Sequence, residues 1–442
     1  MRANLISLRV SAGKLALAVL LAGILAMPAL PLQQPAKGKI AQIKFEGLRK
    51  YSEAQMDELS GLHPGDVAGR EDLQAAADRL AQAGLFTNVS YRFQSSGEEL
   101  RVTFRVEEAP TVPVLFDNIP WYTDGELIGA IRNGLPWFDG TAPQQGPFLE
   151  QMASAVQKLL DLRGLHVAVE HELTNDPASD ALAQVFRVTG ASQRIARVEF
   201  GDPLAAESRL VQQRLSDLVG KPFSRIAIVL FLNEQVRPIY LQKGYLRVRF
   251  DRPQVRLTGD PTRPLPDAIQ VFVPIDHGPA YRWGGTHWTG NRAFTAESLE
   301  KFLTMKPDDP ADGMKIAATW EHVEDEYARS GYLDVQLAEK PVYDDAAGRV
   351  RYDVAVSEGA QYHMGELVIT GLSLNAERKL RDAWPVPVGV IFDRMKFDEL
   401  LVKLQARRSE VFGDLPIHYE EAGHWLRTNS ATAVVDVLLD FK

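Results

Sequence analysis

The chain has 442 residues, 45% hydrophobic, 9% aromatic and 24% charged, a globular composition that argues against a wholly disordered polymer. Lys and Arg total 49 against 58 Asp and Glu, a formal net charge of −9, which argues against a phosphate-binding surface and hence against nucleic acid as the main partner. There is no cysteine, which excludes disulfides, thiolate nucleophiles, iron–sulfur clusters and Cys-type zinc sites together.

In chain order, Arg2, Arg9 and Lys14 precede an apolar run over 15–29. This reads as a secretory signal peptide, cleaved after Ala26 or Ala29, because a membrane-spanning helix needs about 20 apolar residues. The alternative keeps the run as an anchor, making the chain a membrane-anchored envelope scaffold of the division or transport type. Pro31 and Pro35 mark a linker over 30–39. A cysteine-free chain behind such a signal suits the bacterial periplasm, which permits disulfides without requiring them.

One pattern then recurs: Gly84-Leu85-Phe86, Gly164-Leu165-His166-Val167, Gly244-Tyr245-Leu246, Gly331-Tyr332-Leu333 and Gly413-Asp414-Leu415, spaced 80, 80, 87 and 82 residues apart. Upstream of each glycine, apolar residues at three- and four-residue intervals predict one buried helix face. These are Leu73, Ala76, Ala77 and Leu80; Phe148, Met152, Val156, Leu159 and Leu160; Ile226, Val229, Leu230 and Val236; Ile316, Trp320, Val323 and Tyr327; and Phe397, Leu400, Leu401 and Leu404. The glycine ends the helix in a left-handed conformation, and Pro238 predicts a kink or a shortened third helix.

Downstream the period falls to two, which predicts β-hairpins. Val89, Tyr91 and Phe93 turn at 95–98 into Leu100, Val102, Phe104 and Val106; Leu246, Val248 and Phe250 return as Ile269, Val271 and Val273; Leu333, Val335 and Leu337 return as Val350, Tyr352 and Val354. The third hairpin carries a long tip over 252–267. Each repeat opens with a strand and a shorter helix, and Ser52 with Gln55 and Thr123 with Glu126 form capping boxes. The unit is strand, helix, helix, strand, strand: a small α+β domain whose three-stranded sheet is covered by two helices.

This unit resembles the POTRA domain. The matching residues are the joints Asp276-His277-Gly278-Pro279 before Tyr281 and Val356-Ser357-Glu358-Gly359 before Tyr362, the turn Thr289-Gly290-Asn291, and the Gly-Tyr-Leu-x-Val segments at 244 and 331. The resemblance covers 40–442 as five domains, 40–109, 110–190, 191–278, 279–359 and 360–442, in an elongated tandem array. The second, with Asp117-Asn118-Ile119-Pro120 in place of the glycine turn, and the fifth are degenerate copies. Five such modules are similar to the periplasmic part of BamA-type barrel-assembly proteins. That resemblance implies a non-enzymatic periplasmic scaffold associated with the outer membrane. Its implied partners are outer-membrane β-barrel proteins or their unfolded precursors and other assembly factors, with no cofactor. A transmembrane barrel needs at least about eight strands, and none fit after the final strand at 433–441, so a POTRA-only scaffold or a barrel encoded separately is expected.

The family's binding edge is the strand after the glycine. This implies protein contacts at Val89, Tyr91 and Phe93 and at Leu246, Arg247, Val248, Arg249 and Phe250, where a client strand pairs by β-augmentation. Sites for other chemistry fail on inspection. His166 and His171 are five apart on one predicted strand; Gly285-x4-Gly290 lacks the phosphate-loop Lys and Ser/Thr; Asp308-x-Pro310-x-Asp312 breaks the calcium-loop pattern. The seven tryptophans are read as core or joint packing, and Arg407-Arg408 as a solvated face.

Overall fold

The structure, a computed structural model, describes residues 37–256, 268–417 and 419–442. The signal segment and most of the third hairpin's tip lie outside the described residues. Among the described residues no helix is long and apolar enough to cross a membrane.

The first module sets the plan. Strand β1 (Gly38–Glu46), which begins inside the span read as linker, leads to α1 (Glu53–Ser60), β2 (Val67–Ala68), α2 (Arg70–Gln82) and the hairpin β3 (Phe86–Ser96) and β4 (Glu99–Glu108). The Ser52 side chain accepts from the Gln55 amide while the Gln55 side chain accepts from the Ser52 amide, the expected capping box. α2 buries Leu73, Ala76, Ala77 and Leu80, and β4 buries Leu100, Val102, Phe104 and Val106 on the sheet's helix-facing side. β4 is central, parallel to β1 and antiparallel to β3. The hairpin turn is only Gly97-Glu98, so Ser95 and Ser96 stay in the ladder. At the end of β1, Gly47 has φ 103°, and a Cβ there would fall 2.0 Å from the Val106 carbonyl oxygen, so a side chain is sterically excluded from this turn. Glu108 then accepts from the Arg49 and Lys50 amides at 2.9 and 3.0 Å, holding the turn.

Four further modules repeat the plan. The second has β5 (Thr111–Phe116), α3 (Asp124–Gly134), β6 (Thr141–Pro143), α4 (Pro147–Asp161), β7 (Ala168–Asn175) and β8 (Leu182–Thr189). The third has β9 (Arg194–Phe200), α5 (Pro203–Ala206), α6 (Arg209–Arg214), α7 (Arg225–Phe231), α8 (Arg237–Leu241), β10 (Arg249–Phe250), β11 (Gln254–Arg256), β12 (Ala268–Val273) and β13 (Ile275–Asp276). The fourth has β14 (Arg282–Thr289), α9 (Ala296–Glu300), α10 (Gly313–Arg329), β15 (Gln336–Asp344) and β16 (Arg349–Ser357). The fifth has β17 (His363–Thr370), α11 (Leu374–Asp382), α12 (Arg394–Ala406), α13 (Arg408–Phe412), β18 (Ala422–Asn429) and β19 (Val434–Phe441). In each, the last long strand lies between the first, to which it is parallel, and its hairpin partner. Ala109 and Pro110 divide the chain into two compact bodies, the first holding module one and the second modules two to five.

Three expectations are corrected. Modules one and two have four strands, because the link between their helices adds β2 and β6 to the outer edge of the first strand. The third hairpin does not run through 246–250: Leu246 and Arg247 lie in a turn, β10 starts at Arg249, and the strand breaks before β11. The third long helix buries Ile228, Phe231, Leu232, Val236 and Tyr240, whereas Ile226 and Val229 are only half-buried and Leu230 is exposed. That helix is apolar on more than one side because it also packs on module two. The effect expected of Pro238 takes the form of a π-helical segment, Leu232–Val236, just before it.

Candidate binding edges and module joints

In each module the first strand is capped at its start on one edge of the sheet, while the other edge is uncovered along its length. In modules one and two, β2 and β6 pair with the start of the first strand. In modules three to five single antiparallel bridges do the same, Arg194 with Pro222, Arg282 with Pro310 and His363 with Ile391. The opposite edge is always the hairpin's first strand, and no strand of the described residues pairs with its outer side. β3 is the longest of these, eleven residues without proline. Val89, Tyr91 and Phe93 sit opposite Val106, Phe104 and Val102 on the helix-facing side; Val89 and Tyr91 are half-buried and Phe93 is 41% exposed. β15 carries Pro341 mid-strand, and the third module's edge is broken in two.

The residues from the third module go to different tasks. Val248 is buried in the third core, and Phe250 packs against it beneath the Arg237 guanidinium at 5.0 Å. Arg249 is exposed and pairs with Asp276 across the short ladder to β13, which together with the Gly278 amide holds that carboxyl below its usual range. Leu246 and Arg247 cross into module four. Leu246 packs against the fourth core, while the Arg247 guanidinium lies 3.9 Å from the Tyr343 ring and donates to Asp345 at 3.2 Å.

This joint occurs twice. The Gly244 carbonyl accepts from the Tyr281 amide at 2.9 Å, and the Gly331 carbonyl from the Tyr362 amide at 2.7 Å. The preceding helices end alike, with the Tyr245 amide donating to the Tyr240 carbonyl and the Tyr332 amide to the Tyr327 carbonyl, five residues back. Leu333 packs against the fifth core as Leu246 does against the fourth. The Tyr281 and Tyr362 hydroxyls each donate to a carboxylate at 2.5 Å, Asp345 and Asp334 respectively. The Gly-Tyr-Leu-x-Val segment is thus a connector first and a strand second.

The joint between modules two and three is built differently. Asp117, at the position of the turn glycines, is buried and accepts from the Ser224 hydroxyl at 2.8 Å and the Ile226 amide at 2.9 Å. Arg225, its side chain 12% exposed, donates to the Phe116 carbonyl at 2.8 Å and to Asp124 at 2.6 Å; Arg252 reaches the other Asp124 oxygen at 2.8 Å. Ile226 packs on Leu115, Ala183 and Val185. The segment read as a degenerate turn is therefore a helix cap supplied by the neighbouring module.

His171 pairs with Glu150 at 3.2 Å, and His166, which precedes β7, lies 3.7 Å from Asp161. Among the described residues no group of three or more His, Asp or Glu could hold a metal ion. Gly285 lies within strand β14, so the phosphate-loop spacing has no loop. Asp312 caps α10 through the Met314 and Lys315 amides. Arg408 is not simply solvated: it covers the Tyr419 ring at 4.0 Å.

Residues 38–109 and 281–359 match the POTRA family, described as "Surface antigen variable number repeat". The outer membrane protein assembly factor BamA of Neisseria meningitidis serogroup B is 22% identical over 357 residues, covering 77% of this chain and 43% of that protein. A protein of Treponema pallidum is 20% identical over 83% of this chain and 44% of its own length. The chain spans less than half the length of these two relatives. POTRA domains 3–5 of BamA from Haemophilus influenzae superimpose with a TM-score of 0.44 at 18% identity, covering 57% of this chain and 97% of that structure. The strand order of the two modules that match the family, with the last strand between the first and its hairpin partner, recurs in the other three.

Proposed function

We propose that this chain is a non-enzymatic periplasmic scaffold in outer-membrane β-barrel assembly, associated with the outer membrane. In this reading it holds barrel proteins or their unfolded precursors, alongside other assembly factors, by adding their strands to its open sheet edges. The domains run 40–109, 110–190, 191–278, 279–359 and 360–442. The observation that supports the reading is the asymmetry of the sheets: the first-strand edge is capped at its start in every module, and the hairpin edge presents unpaired backbone N–H and C=O groups along its length. Main-chain pairing depends little on client side chains, which suits a scaffold with many clients. Several weak edges on one chain also raise the effective concentration of a long client.

β3 is the first choice, with Val89, Tyr91 and Phe93 forming the apolar border of its edge; Arg249 and Phe250 offer only a two-residue edge. The test places a photo-crosslinking residue at Ser90 or Arg92 on β3, and at Lys39 on the β2-paired start of β1, in the full chain. A synthetic peptide copying an amphipathic barrel strand is then added. Crosslinks from β3 and none from β1 are expected; equal yields at both would defeat the edge assignment.

A further inference from the structure

The sheet faces turned away from the helices differ in a way that points to a missing neighbour. Module one presents Lys44, Thr103 and Arg92 in one row, and its Glu46 binds both Arg92 at 2.9 Å and Arg105 at 3.3 Å. In module three, Glu199 bridges Arg197 and Arg256, and Arg256 covers the Phe272 ring at 4.4 Å. Module four places His287, Asp353 and Lys340 side by side. These faces are polar and stand against water unaided. Module two is apolar there, with Leu115, Ala183 and Val185, and it is covered by Ile226 from the first turn of α7.

Module five is also apolar on that face, yet it lies open. Val368, Leu438 and Trp425 pair in register across β17, β19 and β18, and none belongs to the fifth core. Val368 is 42% exposed and Trp425 52%. On the central strand, Asp436 and Asp440 flank Leu438 on the same face.

We infer that this face is a docking surface for a helix of another protein. The chain itself shows what such a face accepts: the first turn of a helix, led by an aliphatic side chain with an arginine beside it, as in Arg225-Ile226. Asp436 and Asp440 put carboxylates on this face, Asp436 opposite Arg427 and accepting from the Glu366 amide at 2.7 Å, Asp440 accepting from the Thr370 hydroxyl at 2.6 Å and 3.7 Å from the Lys442 ammonium, and an arriving cation would share these pairs. Trp425 is the large aromatic anchor such contacts favour. The surface takes a helix on the sheet's flat side and is separate from the open edges, which take extended strands.

Photo-crosslinking residues at positions 368 and 425 of the full chain, expressed in its native host, test this, with position 342 on the outer face of the fourth sheet as control. The expected result is one crosslinked partner segment at both positions, mapping to a helix whose first turn carries an aliphatic residue next to Arg or Lys, and no such product at 342. Trp425→Asp should cut the yield at 368 by at least about tenfold with unchanged far-UV circular dichroism and thermal midpoint. If that variant unfolds, Val368→Asp read at 425 replaces it. A crosslink to a barrel strand, to a second copy or to lipid, no crosslink, or an undiminished yield in a folded variant overturns the inference, whether or not β3 binds clients.

Discussion

Asp117 and Ser224 lie 107 residues apart in sequence, yet the Ser224 hydroxyl donates to the Asp117 carboxylate at 2.8 Å. The same oxygen accepts from the Ile226 amide, so a side chain of module two caps a helix of module three. Gly47, Gly290 and Gly371 hold the equivalent turn elsewhere, each with a positive φ and no room for a Cβ. Asp117→Ala removes the acceptor from a buried site, and a lost cap or buried hydrogen bond costs about 1–3 kcal/mol. Hydrogen exchange at the Ile226 amide should therefore speed up about 10- to 100-fold. Asp117→Asn, which keeps an acceptor, should lose less. Unchanged protection in the alanine variant would show that the cap does not hold the joint.

The glycines at 164 and 244 end equivalent helices at φ 71° and 84°, but their surroundings differ. A Cβ at Gly244 would fall 2.4 Å from the Tyr281 carbonyl oxygen, while at Gly164 nothing lies within 4 Å. Gly164→Ala should cost only the left-handed backbone penalty, about 1–2 kcal/mol. Gly244→Ala must also push modules three and four apart. Chemical denaturation should show the larger loss at 244, with disturbed Tyr281 resonances only in that variant. Equal losses would mean that the connector yields freely.

The repeat was legible because a helix-ending glycine must take a conformation other residues resist, and the following alternation is set by the pleat. The buried helix face of module one was therefore read residue for residue, and that of module four but for Thr319, a polar residue the apolar pattern passes over. The third helix misled because periodicity cannot tell a module's own core from its neighbour's surface: Ile226 faces Leu115, not the third core. Leu246 and Leu333 looked like strand residues since they alternate with Val248 and Val335, but the alternation straddles a joint and each leucine enters the next core. The edge caps left no trace in sequence, because two-residue strands such as β2 carry no pattern. Trp425 was absorbed into the packing tryptophans, and only strand register sets it beside Leu438 and Val368.

On the outer face of module one, Glu46 joins Arg92 and Arg105, whose side chains are 65% and 70% exposed. Ion pairs this solvated are worth about 0–1 kcal/mol and are screened by salt. Glu46→Gln should therefore shift the unfolding midpoint of module one only slightly, and less still at 1 M salt. A large, salt-insensitive loss would show that the network organises the sheet rather than decorating it.

The joint between modules three and four contains a linked set of ionisable groups. Burial, together with the hydrogen bond to Asp345, pushes the Tyr281 hydroxyl up to about 12 from 10.0. That hydroxyl, and then Arg247, hold the Asp345 carboxyl below its ordinary 3.8. For a depressed carboxyl, the stabilisation is fully present above the unfolded value and is lost as pH falls through the folded one. For a raised phenol it is present below 10 and is lost as pH rises towards about 12. The joint should hold level across neutral pH and loosen at both extremes, the acid limb falling below 3.8. Nuclear magnetic resonance of the Arg247 side chain, which lies against the Tyr343 ring, reads this directly. Asp345→Asn should abolish the acid limb; if Arg247 follows the same acid limb in that variant, the carboxylate is not what holds it there.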